Sequence, residues 1–224
     1  HTRVDGIPLL QTRAGKVVQA LCLILAEDFA RPRVCEFLWI VYDSFPARLG
    51  AAVSAADLAE WEALAVEAGI VRGAQGWRLR LAALEEDYQQ GERGREADTG
   101  QALRAFIRFM QRFLSDAAEV LGQQTWTGWI EHFLQVCQSY VSWTADDMQS
   151  DGLQIEEALR GQDYLFQSNG AGQTEAWADS VCLILSQARQ RQNVMHSAGV
   201  FLSDLKQAWG RPFRAVIIPG LVEE

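Results

Sequence analysis

The sequence predicts a mainly α protein: a helical insertion domain of about seven to eight helices, followed by a small α/β piece with two short parallel strands. Three observations predict it. From Arg13 onward apolar residues recur at three- and four-residue spacing, the period of a helix that buries one face. Pro, Gly and the capping types Ser, Thr and Asp punctuate those stretches where helices start and stop. Near the carboxyl end two β-branched runs, Val200 to Leu202 and Ala215 to Ile218, are too short for helices, and about ten residues with a Gly-Arg-Pro break separate them.

Each element follows from its own pattern. The first helix starts at Arg13 and stacks Val17, Val18, Leu21, Ile24 and Leu25, ending near Asp28 before Pro32. Pro32 suits the first turn of a second helix carrying Val34, Phe37, Leu38 and Val41, which Pro46 and Gly50 close. Ser54 with Asp57 reads as a capping pattern for a third helix holding Leu58, Trp61, Leu64 and Ala65, and Gly69 ends it. A fourth spans Trp77 to Tyr88. Between Glu85 and Gly100 charge and glycine predict a mobile loop joining two helical subclusters. Beyond it, one apolar stripe runs through Leu103, Phe106, Ile107, Met110, Phe113, Leu114, Ala117 and Leu121. A second runs through Trp126, Trp129, Ile130, Phe133, Leu134, Cys137, Tyr140 and Val141, and the two predict a helical hairpin. Asp146 to Gly172 is polar, with a short helix expected only over Leu153 to Leu159, and Thr174 caps a last helix bearing Trp177, Val181, Ile184 and Leu185.

Composition sets the limits. In 224 residues, 49% hydrophobic content and eight Trp supply a substantial core. A formal charge of −9 argues against a surface that attracts nucleic acid everywhere, leaving only local basic patches. The longest apolar run, Val17 to Ala26, is interrupted by Gln19 and is too short for a membrane span, and no signal peptide is expected. His1 in place of Met, and the stop at Val222-Glu223-Glu224, give the expectation of a piece excised from a longer chain. Cys22, Cys35, Cys137 and Cys182 lie far apart among apolar neighbours, which predicts buried free thiols and a cytoplasmic protein.

The catalytic inventory is sparse. No Gly-x-x-x-x-Gly-Lys-Ser/Thr phosphate loop, Asp…Glu-x-Lys nuclease set or Gly-x-Ser-x-Gly elbow occurs, and His1, His132 and His196 have no ligand spacing. No catalytic residue and no metal ligand is assigned. Arg104, Arg108 and Arg112 recur every four residues on the side of their helix opposite Leu103, Ile107, Met110 and Leu114. They suit a phosphate grip, or a solvated face paired with Asp116 and Glu119; Arg72, Arg78 and Arg80 offer the same choice. Trp126, Trp129, Phe133 and Tyr140 have the spacing of a buried helix face rather than of a base-stacking strip.

Gly199-Val200, Asp204-Leu205, Ala208-Trp209-Gly210, Phe213, Val216 and Gly220-Leu221 together resemble motif V of UvrD/Rep-like superfamily-one DNA helicases, more closely its variant in AddB-type helicase-nuclease subunits. Where that family carries Thr-x-His-x-x-Lys-Gly, this chain has Asp204, Lys206, Trp209 and Gly210. Gly6-Ile7-Pro8-Leu9 with Thr12-Arg13-Ala14-Gly15 resembles the passage that leaves the second motor domain. Trp61-Glu62-Ala63-Leu64, Glu67 to Gly73 and Trp77 to Leu81 are similar to AddB-like sequence.

The resemblance implies that residues 1–12 and 194–224 are edges of motor domain 2A, and that 13–193 is a 2B-like insertion with subclusters 13–88 and 100–193. It implies a non-catalytic fragment of an ATP-dependent DNA helicase or helicase-nuclease subunit in repair or recombination. ATP and Mg2+ then belong to the parent chain and no cofactor to the fragment. The expected partners are single-stranded or forked DNA and a nuclease or helicase subunit, with no membrane. Lys206, Gln207, Trp209 and Arg211 would line the DNA track in the turn marked by Asp204 and Gly210, with the cations on phosphate and the indole on a base. Hinges are expected at Pro8 to Gly15 and at Asn193 to Gly199. The competing class is a helical protein-protein interaction module without nucleic-acid function; a small-molecule enzyme has no convergent acid, base and nucleophile to support it.

Overall fold

The structure of the chain, a computed structural model, describes residues 6–42, 53–90, 97–141, 146–162 and 174–190. Among them lie a 3-10 turn (Leu9–Gln11) and helices α1 (Arg13–Ala26), α2 (Arg31–Val41), α3 (Ala55–Glu67), α4 (Ala74–Gln89), α5 (Ala97–Leu121), α6 (Trp126–Tyr140), α7 (Asp146–Arg160) and α8 (Thr174–Gln187). The protein is mainly α. The expected strands at 200–202 and 215–218 lie outside the described residues, as does the hinge expected at Asn193 to Gly199.

Residues Ile7 to Gln190 form one compact unit, and its elements start and stop for local reasons. The Thr12 side chain accepts from Gly15 N–H at 3.0 Å and caps α1, and Ala30 precedes α2 with Pro in its first turn. Ser54 and Asp57 form the reciprocal capping box of α3. Helix α3 ends in a Schellman turn: Gly69, at φ 65°, donates to Val66 O at 2.9 Å, and buried Ile70 donates to Ala65 O at 3.1 Å.

Two turns then zip together. Asp28 and Phe29 end α1 at positive φ, 51° and 55°, and are held there by Gly73 N–H donating to Asp28 O at 2.7 Å and Trp77 Nε1 donating to Phe29 O at 2.8 Å. Arg31 N–H donates to Val71 O at 2.9 Å. The α1–α2 turn thereby fixes the start of α4.

The core is continuous. Phe113 of α5 stacks on Phe37 of α2 and Phe109, and meets Phe29 and Tyr140 edge-on. Helix α1 packs most extensively on α8 and also touches α2, α6 and α7. The two subclusters expected from the sequence therefore share one core. Trp126, Trp129, Phe133 and Tyr140 are buried in it, in line with their spacing. Leu121, expected in the apolar stripe of α5, is 40% exposed instead, because it is the last residue of the helix.

Helix α7 is longer than the short helix expected at Leu153 to Leu159. It begins at Asp146 and includes Gly152, which is buried. The segment expected to hinge at Pro8 to Gly15 is likewise a packed turn, since Leu9 is 2% exposed and Thr12 is buried. Leu9 N–H donates to Ala188 O at 2.8 Å and Gln190 N–H to Ile7 O at 2.9 Å, forming an antiparallel bridge between Pro8 and Arg189. The chain enters and leaves the helical body side by side.

Candidate functional site

The sequence-derived candidates divide between two places. Asp204, Lys206, Gln207, Trp209, Gly210 and Arg211 lie outside the described residues. Arg104, Arg108 and Arg112 lie on α5, and all three are exposed. Their four-residue spacing advances about 6 Å along the axis per step, so they form a cationic ridge along the outer face of the helix.

Neither carboxylate expected to neutralise that ridge forms an ion pair with it among the described residues, although Asp116 continues the row one turn beyond Arg112. Asp116 accepts from the Tyr140 hydroxyl at 2.7 Å. Glu119 lies on the exposed face of the last turns, where its backbone carbonyl accepts from Gln123 Nε2 at 3.0 Å. No ion pair among the described residues involves Arg104, Arg108 or Arg112. Burial, followed by the hydrogen bond to Asp116, pushes the Tyr140 phenol far up, while Arg112 pulls the other way. The ridge therefore approaches α6 at its Arg112 end.

On the flank of α5 that faces α4 a cleft of about 180 Å³ opens. Its floor is apolar: Trp77 and Leu81 of α4 face Ile107, Met110 and Leu114 of α5. Trp77 is immobilised by its bond to Phe29 O and by an edge-on contact with Phe106 at 6.0 Å. The rim is polar, with Arg78, Ala82 and Glu85 on α4 and Gln111 on α5. Arg104 precedes Ile107 by three residues and Arg108 precedes Gln111 by three, so these two arginines, placed by their spacing opposite Ile107, Met110 and Leu114, adjoin the Gln111 edge of this cleft, while Arg112 turns away toward α6.

Sequence reasoning found the ridge and weighed Arg78, but it missed Gln111, Ala82 and Glu85. The signal was available in α4: with Trp77, Leu81 and Leu84 buried, Arg78, Ala82 and Glu85 fall together on the adjoining flank. Ala82 is the small residue that leaves the space open. Arg72 and Arg80 are exposed and do not line the cleft.

The remaining chemistry is spare. Cys22, Cys35 and Cys137 are buried free thiols and Cys182 is half-buried. His132 Nδ1 donates to Gly128 O at 2.8 Å. Among the described residues no group of three His, Cys, Asp or Glu is placed to hold a metal ion, and no described helix is long and apolar enough to cross a membrane. No protein-family model, no curated protein and no solved structure matches the chain.

Proposed function

We propose that the helical body is a non-catalytic, DNA-positioning arm of an ATP-dependent DNA helicase or helicase-nuclease subunit. In this reading ATP and Mg2+ are bound by the parent chain, and the arm contacts single-stranded or forked DNA. The observation that carries it is the ridge of Arg104, Arg108 and Arg112, three exposed guanidinium groups at helical repeat on a chain of net charge −9. In an acidic protein such a local concentration of cations, none with an ion-pair partner among the described residues, is the electrostatic footprint of a phosphate-bearing partner. The side-by-side path of Ile7 and Gln190 further supports it, because a lobe inserted into another domain needs its two connections together.

Titration of labelled single-stranded and forked DNA, followed by fluorescence anisotropy at several salt concentrations, tests the reading. The unsubstituted chain binds with steep salt dependence; a triple Arg104→Ala, Arg108→Ala, Arg112→Ala variant binds more weakly, its log K against log salt slope reduced by about 2 on single strands. An unchanged slope would remove the ridge from the interface. Lys206→Ala with Arg211→Ala, assayed in parallel, reports separately on the turn that the motif V resemblance assigns to DNA.

A further inference from the structure

We infer that the cleft between α4 and α5 receives one unstacked base of a single strand whose phosphates lie on the adjoining arginine ridge. This rests on the proposed DNA-positioning role and specifies the form of nucleic acid the arm takes.

The inference begins with the juxtaposition. A partner that meets the ridge must be anionic at intervals of about 6 Å, and a partner that enters the cleft must offer a flat or compact apolar group. A single strand has both along one edge: phosphates that repeat along the backbone, and bases free to turn away from it. A duplex offers only the phosphates, because its bases are stacked inside and reach a pocket only at the cost of unpairing.

The lining matches a base in kind and in size. At about 180 Å³ the space admits one ring system. The buried side chains of Leu81, Met110 and Leu114 give an apolar floor against which a ring face loses water. Around the rim, Arg78 supplies donors, Glu85 acceptors and Gln111 both, which is the mixture that the edge of a base presents in return. Aliphatic residues and methionine, rather than an exposed aromatic ring, do the covering, so burial of the base contributes more than ring-on-ring stacking.

The test compares three labelled ligands on the intact 224-residue chain: a short oligodeoxynucleotide, the same strand with abasic positions throughout, and a blunt duplex of equal length. The natural strand binds about tenfold tighter than the abasic one, and the duplex behaves like the abasic strand. Ala82 is exposed on the cleft rim, so Ala82→Leu fills the space from outside the core. In that variant the natural and abasic strands bind alike, with the salt slope unchanged.

Equal binding of natural and abasic strands to the unsubstituted chain would overturn the inference, and that measurement needs no variant. So would a base preference that survives Ala82→Leu. If binding remains salt-dependent and falls with the arginine substitutions but ignores the bases, the ridge keeps its role and the cleft loses its own. If no strand binds in a salt-dependent way, both fall together. Displacement of the strand by an acidic, leucine-bearing peptide, without any base preference, would reassign the cleft to a protein segment and overturn its role in nucleic-acid binding.

Discussion

Individual side chains of one type meet different fates here, and the cysteines show it most directly. Cys35 is buried on α2, and burial followed by the field of Glu62 pushes its thiol up to about 11. Burial raises Cys137 too, and Cys22 is raised by burial and by its hydrogen bond to Cys182. Cys182 moves the opposite way, because the bond from Cys22 favours its thiolate more than partial burial opposes it. Alkylation with iodoacetamide at pH 8, read by mass spectrometry, should therefore label Cys182 first. Cys35 should follow far behind, since a thiol with a pKa near 11 is about one-thousandth ionised at pH 8. Cys22 and Cys137 should be labelled only when the chain unfolds, and early labelling of Cys137 would contradict its place in the core. The linkage has a definite sign. A Cys35 value raised from 9.0 to about 11 contributes stability that is complete below pH 9 and is lost as pH rises through 11. The sequence foresaw the burial of Cys22, Cys35 and Cys137 from their apolar neighbours, but not that Cys182 is only half-buried, nor this ranking, which depends on contacts between helices distant along the chain.

At the scale of elements, legibility followed the strength of local signals. Helices α1, α2 and α3 each carry a start or stop signal in sequence, and the Ser54 capping box and Gly69 turn appear where those residues placed them; α4, expected from Trp77 to Tyr88, begins earlier, at Ala74. The same approach shortened α7, because Asp146 to Gly152 reads as polar and glycine-bearing when its neighbours are unknown. In the folded chain buried Asp151 accepts from Gln190 Nε2 at 2.8 Å, so a tertiary partner offsets the weak local preference. The ridge on α5 was legible as spacing, but the absence of an ion pair between Arg112 and Asp116 was not, since only the fold shows Tyr140 engaging Asp116. The turn before α1 was also illegible as a packed element. Its tightness comes from Gly15, where a Cβ would lie 1.9 Å from the Leu9 carbonyl oxygen and 2.7 Å from the Leu10 Cα. Backbone on both sides must separate to admit a methyl group. Gly15→Ala should accordingly destabilise the body by about 3 kcal/mol in urea unfolding, the upper range for overpacking, although alanine is the better helix former in isolation. A neutral or stabilising result would mean that the turn does not close on α1 as described.

For the whole molecule, the question is where the helical body ends. Sequence resemblance places its first residue at Arg13, but contacts extend it to Ile7: Leu9 is buried against the core, Thr12 caps α1, and the bridge to Arg189 ties the turn to the end of α8. An autonomous lobe defined by contacts should therefore comprise residues 7–190, the compact unit with the continuous core. Expressed alone, that segment should give a strongly helical circular dichroism spectrum and a single cooperative urea transition. A shorter segment, 13–187, keeps every helix but removes the Leu9 side chain, the Thr12 cap and both backbone bonds of the bridge. Burial of one leucine contributes about 2 kcal/mol and an N-cap about 1 kcal/mol, so the shorter piece should be less stable by about 3 kcal/mol. Equal stability of the two would return the boundary to Arg13 and make residues 7–12 part of a neighbouring domain. A loss on trimming would instead make residues 7–12 and 188–190 integral to the helical body.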